Sequence, residues 1–240
     1  MSDSSDKPKV EGLDEELRAS GWPTRWERFR LPVELDGRSF LDVGCWEGVH
    51  CAEAVRRSAS DVVGVDICTG PELADNVDRY RFDFLQLDVF GDSFLSLGSF
   101  DVVLCSGLFP NAQNPALLLS RLHAATDDLL VLETPITTAG GDDEPILHFL
   151  GGDEGTPNRS HWWIPNELCV ERMLAAAGFA GISKVWDKVD GDSGRACFHA
   201  VPSGRADRRS LQPRKPKEMS VNGGSRLRNK GKGANKGGSD

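Results

Sequence analysis

The residues best able to do chemistry begin in LDVGCWEGVH, residues 41–50, where Gly44 and Gly48 stand four apart just past Asp42. Glycines at such spacing let a chain turn tightly and let a ligand approach the backbone closely. Eighteen residues beyond Gly48 a second apolar run, VVGVD, ends in Asp66, and a third, FDFLQLD, ends in Asp88. A carboxylate placed as Asp66 is can accept hydrogen bonds from both hydroxyls of a ribose, and one at Asp88 can take the exocyclic amine of an adenine. The chemistry indicated is nucleoside binding. A dinucleotide fingerprint would need glycines at 44, 46 and 49, whereas this chain has Trp46 and Val49, and no GxxxxGK[ST] occurs. Pyrophosphate therefore lacks the close backbone approach it needs. An adenosyl group without phosphates, carrying an amino-acid end and a sulfonium, fits what remains.

The elements that must position these residues follow from pattern. SFLDV, VVGVD, FDFLQLD, FDVVLC and LLVLE, beginning at 39, 62, 82, 100 and 129, are nearly continuous apolar runs, as strands buried on both faces require. Between them lie the helical stretches EGVHCAEAVRR and PALLLSRLHAA, the second opening with Asn114 as N-cap and Pro115 at the first helical position. This alternation predicts an α/β fold, a Rossmann-like doubly wound sheet of seven strands, mostly parallel, with right-handed crossovers. NELCVERMLAAA predicts a last helix with Cys169, Met173, Ala176 and Ala177 on its buried stripe and Gly178 at the left-handed C′ position. GISKVW and ACFHAV, separated by DGDSG, predict a closing antiparallel hairpin.

Three regions are expected. Residues 1–38 form a leader with a helical and aromatic cap, in which EGLDEELRAS makes a short acidic helix and Trp22, Trp26 and Phe29 anchor onto the body. Residues 39–202 form the main domain, with an acidic, glycine-rich, lid-like insertion at 134–164 that is too long for an ordinary connection. The tail, 203–240, carries 11 Lys and Arg against 3 Asp and Glu, with almost nothing apolar to bury, and is expected to be disordered. Removing it from the whole chain's −9 leaves 17 basic against 34 acidic residues in the body, a net of −17. A body so acidic repels phosphate backbones, which disfavours broad nucleic-acid binding by the core and leaves the basic tail as the route to RNA. No apolar run is long enough to cross a bilayer, the N-terminus shows no cleavage signature, and the six cysteines form no CxxC pair. A soluble, cytoplasmic protein with reduced thiols, no metal site and no membrane partner is expected.

The order LDVGCWEG, VVGVD, LQLDVF, FDVVLCSGLF resembles the class I S-adenosylmethionine-dependent methyltransferases over residues 39–201. Trp46 in the glycine loop, Asn114-Pro115, and HWWIPNELCVERMLAAAGF from His161 are similar to one branch of that superfamily, the branch related to enzymes that modify tRNA wobble uridine. The resemblance implies that Asp42, Gly44, Cys45 and Gly48 hold the methionine end of the cofactor, Asp66 its ribose, and Asp88 with Val89 its adenine. It also implies that Ser106 and Gly107 line the sulfonium side. Where relatives commonly have a histidine before the asparagine-proline, this chain has Asn111, which cannot act as a base near neutral pH.

Methyl transfer from a sulfonium is an in-line displacement, so holding the acceptor in line supplies much of the catalysis. A base is needed only where the acceptor loses a proton, and Glu133, His148 and His161 are the candidates, with imidazole preferred. Asn111, Trp162 and Trp163 are candidate acceptor contacts. The reading that follows is S-adenosylmethionine-dependent methylation of a small-molecule acceptor. Two alternatives stay open: a methyl- or carboxymethyl-transferase acting on tRNA wobble uridine, and a non-catalytic module that binds the cofactor.

Overall fold

The computed structural model describes residues 23–152 and 160–204. The apolar runs assemble into a seven-stranded sheet of order β3-β2-β1-β4-β5-β9-β8. Its strands are β1 (Ser39–Val43), β2 (Asp61–Asp66), β3 (Asp83–Gln86), β4 (Phe100–Ser106), β5 (Thr126–Thr137), β8 (Phe179–Asp190) and β9 (Ser193–Pro202). The pairs β1 with β2, β1 with β4, β2 with β3, and β4 with β5 are parallel, while β9 lies antiparallel between β5 and β8. The α/β fold class, the strand number and the closing antiparallel hairpin are those expected. The order reverses between β1 and β4, so the ligand crevice belongs at the carboxyl ends of these strands.

Two extents differ from the sequence reading. LLVLE is only the middle of β5, which runs 12 residues because β9 continues to pair with it as far as Thr137 opposite Ser193. The insertion after β5 is shorter by that much. It contains a two-stranded ribbon, β6 (Leu147–Phe149) against β7 (Trp163–Pro165).

Helices cover both faces. On one lie α1 (Pro23–Arg28), α2 (Val49–Arg56) and α3 (Leu73–Tyr80); on the other, α4 (Asp92–Leu95), α5 (Pro115–Ala125) and α6 (Glu167–Ala176). Trp26, Phe29, Leu31 and Leu35 are buried within the first face's core. Trp26 stacks on Phe40 at 5.7 Å, donates its indole N–H to the Pro32 carbonyl and carries the Arg57 guanidinium over its ring. Each such buried side chain contributes roughly 1.5–3 kcal/mol, so the segment before residue 39 completes the core. Trp22 and EGLDEELRAS lie outside the described residues, as does the tail beyond 204.

Helix ends follow the caps in the sequence. Asn114 accepts from the Leu117 N–H at 3.0 Å with Pro115 at the first helical position, and Gly178 sits at φ +102 after α6. The buried stripe of α6 is rotated from the expected one. Cys169, Val170 and Leu174 face inward with Met173 and Ala177 beside them, and Ala176 is exposed, because Val170 and Leu174 pack on the larger core cluster. Among the described residues, no helix is long and apolar enough to cross a membrane.

Candidate active site

The turn after β1 has Gly44 at φ +81, Trp46 at φ +51 and Gly48 at φ +71. Three left-handed residues within five fold the chain back over β2, where the N–H groups of Gly44 and Cys45 both donate to the Val65 carbonyl, at 2.8 and 3.1 Å. Trp46 accepts a conformation that costs a side chain about 1–2 kcal/mol. Its own N–H offsets this by donating to Asp66 Oδ2 at 2.9 Å. Asp66 Oδ1 accepts from Cys68 N–H, so both oxygens hold backbone while each keeps a lone pair for a ligand hydroxyl. Asp66 pairs with Gln86 across β2 and β3, which sets Asp88 just past the adjoining strand tip, its Oδ1 accepting from Phe90 N–H. The two carboxylates therefore share one edge of the sheet with the glycine bend.

Large apolar groups stand open beside them. Trp46 is 51% and Ile67 62% exposed, on either side of Asp66 in the chain. An apolar planar group flanked by carboxylates fits that setting, and a pyrophosphate does not, since like charges would oppose it.

Not every expected contact faces outward. Cys45 is buried against Cys51 and Gly64, so only its backbone meets the bend. Gly48 has a packing reason to be glycine, because a Cβ there would stand 2.4 Å from the Phe82 ring. Val89 is buried in the core cluster on the α5 side. Asp42 is buried under α2, with His50 Nδ1 at 3.8 Å and Cys51 Sγ at 3.9 Å. Burial, reinforced by the charge of Asp66, pushes the Asp42 carboxyl up to about 8. Burial, with Arg25 adding to it, takes His50 down to about 4. Near neutral pH this pair thus carries no charge.

The other half of the site lies past β4. Ser106 Oγ donates to Glu133 Oε2 at 2.8 Å, and Arg195 closes on the same carboxylate through Nε at 2.5 Å and Nη2 at 2.8 Å. Glu133 is 3% exposed, while Arg195 is about half exposed. Gly107, at φ +71, would place a Cβ 3.5 Å from Arg195 Nη2, so the guanidinium lies directly over this turn. Asn111 Nδ2 donates to the Gly107 carbonyl, and its Oδ1 accepts from Ser160 Oγ. Trp162 N–H donates to the Pro110 carbonyl and Trp163 Nε1–H to that of Gln113. The returning leg of the insertion is therefore docked on the turn Phe109–Asn111. Phe149 rests on Trp163 and Trp162 with ring centroids 4.8 and 6.3 Å apart.

Of the three candidate bases, Glu133 has both oxygens engaged by Arg195 and Ser106. His148 is exposed on β6, on the side away from Leu147 and Phe149. His161 has a buried Nδ1 without a hydrogen-bond partner among the described residues, and burial, with the charge of Arg195, lowers its pKa. Arg195 and Arg25 escaped the sequence reading. Arg195 is 62 positions from Glu133, and only the diagonal pairing of β5 with β9 brings them together. Arg25 comes from α1 into electrostatic range of Glu133 and Arg195. An arginine alternating among ordinary strand residues leaves no signal.

A family described as a methyltransferase domain matches residues 15–184 of this chain. The chain belongs to that family. Among curated relatives of this methyltransferase-domain protein is a tRNA U34 carboxymethyltransferase of Pseudomonas putida (strain W619), 30% identical over 71% of this chain and 53% of the relative. One of the same name from Ectopseudomonas mendocina (strain ymp) is 29% identical over 71% and 52%. The chain spans about half the length of these relatives. Similar solved folds include magnesium protoporphyrin IX methyltransferase of Synechocystis PCC 6803 with bound S-adenosylhomocysteine, at TM-score 0.55 and 17% identity over 82% of this chain and 90% of that one. The 1,6-didemethyltoxoflavin-N1-methyltransferase of Burkholderia thailandensis, also with S-adenosylhomocysteine, gives 0.53 and 19% over 79% and 87%.

Proposed function

We propose that this methyltransferase-domain protein is an S-adenosylmethionine-dependent methyltransferase acting on a small-molecule acceptor through oxygen, nitrogen or carbon. One observation carries the reading: Asp66 is hydrogen-bonded to the glycine bend it faces and stands beside the tip that bears Asp88. In this reading Gly44 and the backbone of Cys45 and Gly48 hold the amino-acid end, with the buried Asp42 beneath them, Asp66 holds the ribose, Asp88 and the backbone of Val89 the adenine, and Ser106 with Gly107 the sulfonium side. Bound there, the cofactor supplies a methyl group on an activated sulfur.

The chain's own residues do the rest. Ser106 is oriented by Glu133, and with its proton turned to that carboxylate its lone pairs are free to position an acceptor X–H. His161 takes the acceptor's proton where one must leave, since burial and Arg195 favour the neutral imidazole a base requires. Trp162, Trp163 and Asn111, tied to the Phe109–Asn111 turn, wall the acceptor from water. A cytoplasmic location, expected from the sequence, stays part of this reading.

The test is calorimetric titration with S-adenosylhomocysteine, followed by incubation with methyl-labelled S-adenosylmethionine and a small-molecule cell extract. Saturable binding and extract-dependent label in a small product are expected. Absence of binding defeats the cofactor assignment, and binding without transfer would leave the non-catalytic module.

A second reading, carboxymethyl or methyl transfer to tRNA wobble uridine, is supported by the named relatives and by Arg195, a cation over Gly107 that a carboxylate on the transferred group would meet. Salt-sensitive tRNA binding that disappears when 203–240 is deleted would favour it.

A further inference from the structure

We propose that Arg195, with Arg25 reinforcing its field, forms an anion-binding subsite for the acceptor, so that the molecule methylated carries a carboxylate or phosphate group. This rests on the methyltransferase reading and names the substrate class of the same site.

A guanidinium has five N–H donors in a planar fork. Glu133 uses two of those on Arg195, one on Nε and one on Nη2. Three are without a partner among the described residues, on a side chain about half exposed whose Nη2 stands over Gly107. That turn is the acceptor side of the site, on the far side of β1 from Asp66 and Asp88. A fork with free parallel N–H groups is matched by carboxylate and phosphate oxygens.

Charge points the same way. Arg25 brings a second guanidinium into electrostatic range of Glu133 and Arg195. The body carries a net of −17 before the tail, so a positive spot at this mouth is a local exception that draws an anion inward and orients it. Trp162 and Trp163 on the docked leg of the insertion, with Phe149 of β6 packed on them, supply aromatic surface suited to a planar body behind such a group.

The experiment uses the full chain loaded with S-adenosylhomocysteine and compares benzoate with its neutral isostere benzamide, followed by tryptophan fluorescence and calorimetry. Saturable uptake of S-adenosylhomocysteine is the first arm, and its failure sinks the cofactor reading separately from this one. Benzoate is expected to bind at least tenfold more tightly than benzamide. Arg195→Gln should cut that preference below twofold, and Arg195→Lys, which keeps a cation beside Glu133, should retain part of it. Arg25→Gln, at an exposed position, should reduce the preference about threefold and serves as the test where Arg195→Gln does not fold. No preference in the loaded wild type, or a full preference in Arg195→Gln or, where that variant is unfolded, in Arg25→Gln, overturns the proposal. So does a preference seen only without S-adenosylhomocysteine, which would assign the anion to the cofactor's amino-acid end. Tighter binding of a carboxylated sulfonium cofactor than of S-adenosylmethionine in direct competition would assign Arg195 to the cofactor, with the same result.

Discussion

Asp66 accepts a 2.9 Å hydrogen bond from the backbone N–H of Trp46, twenty residues earlier, so the carboxylate that faces the crevice also closes the bend beside it. Trp46 sits at φ +51, and this bond helps to hold it there. The bend and the strand tip act as one unit, and a ligand hydroxyl would meet a carboxylate whose direction is already set.

Asp66→Ala removes that unit's centre. The variant is expected to bind S-adenosylhomocysteine about 1–3 kcal/mol more weakly, the cost of losing a charged hydrogen-bonding partner. Calorimetry on the folded variant is the check. Unchanged affinity would remove Asp66 from the site.

The pair Asp42 and His50 predicts how the ligand-free protein responds to pH. Asp42 is raised to about 8 and so contributes stability that is lost as pH rises from the unfolded carboxyl range to about 8. His50, lowered to about 4, favours the fold above its unfolded value and loses that contribution as pH falls to about 4. Between about 4 and 6.5 the folded and unfolded chains hold the same number of protons on this pair, so its two slopes cancel. From about 6.5 to 8 the folded pair holds one proton more, and the wild type should lose roughly 2 kcal/mol. Asp42→Asn should show no loss in that window and a gain between about 4 and 6.5 instead. Urea titrations at half-unit steps decide, and parallel curves for the two proteins would contradict the assignment.

Much of the frame was legible because strands buried on both faces are written as apolar runs, and the acidic residues that follow them, Asp66 and Asp88, mark the carboxyl edge of the sheet. What was not legible depends on pairing between distant segments. The extension of β5 to Thr137 needs its partner Ser193, which no local pattern announces. Spacing alone puts Cys169, Met173, Ala176 and Ala177 on the inward face of α6, while Val170 and Leu174, with more apolar area to bury, set a rotation that keeps Cys169 inside and turns Ala176 out. Gly48 reads as a ligand-approach glycine, yet the ring that needs its missing Cβ is Phe82, 34 positions away. The proposed acceptor side was the least visible, since Ser106, Glu133 and Arg195 meet through the pairing of β4, β5 and β9, and Arg25 comes into range from α1.

Asn166 gives the aromatic motif of the insertion a structural purpose. Its Oδ1 caps α6 through Cys169 N–H at 2.9 Å and accepts from Ile146 N–H, while Nδ2 donates to the carbonyls of Ala139 and Glu144. Asn166→Ala is expected to cost about 1–3 kcal/mol through the lost cap and the unsatisfied carbonyls. Asn166→Asp keeps the two acceptor bonds and loses the donors, so it should open the 139–146 loop while leaving the start of α6 intact. Hydrogen exchange resolved by segment tests this, and equal loss of protection in both segments for both variants would count against it.

His161 offers the most direct reading of mechanism. Its Nδ1 is buried, and burial with the nearby Arg195 charge lowers its pKa below the usual 6.5. A base must be neutral to work, so label transfer should fall as pH drops through that lowered value, with a flat region above it. Arg195→Gln removes the repelling cation, and the acid limb should move to higher pH even where the rate itself declines. His161→Gln should lose the limb and lower kcat by about 10² to 10⁴. A profile whose acid limb survives in His161→Gln would assign the proton to another group. A limb that stays fixed in Arg195→Gln would break the electrostatic link between the insertion and β9.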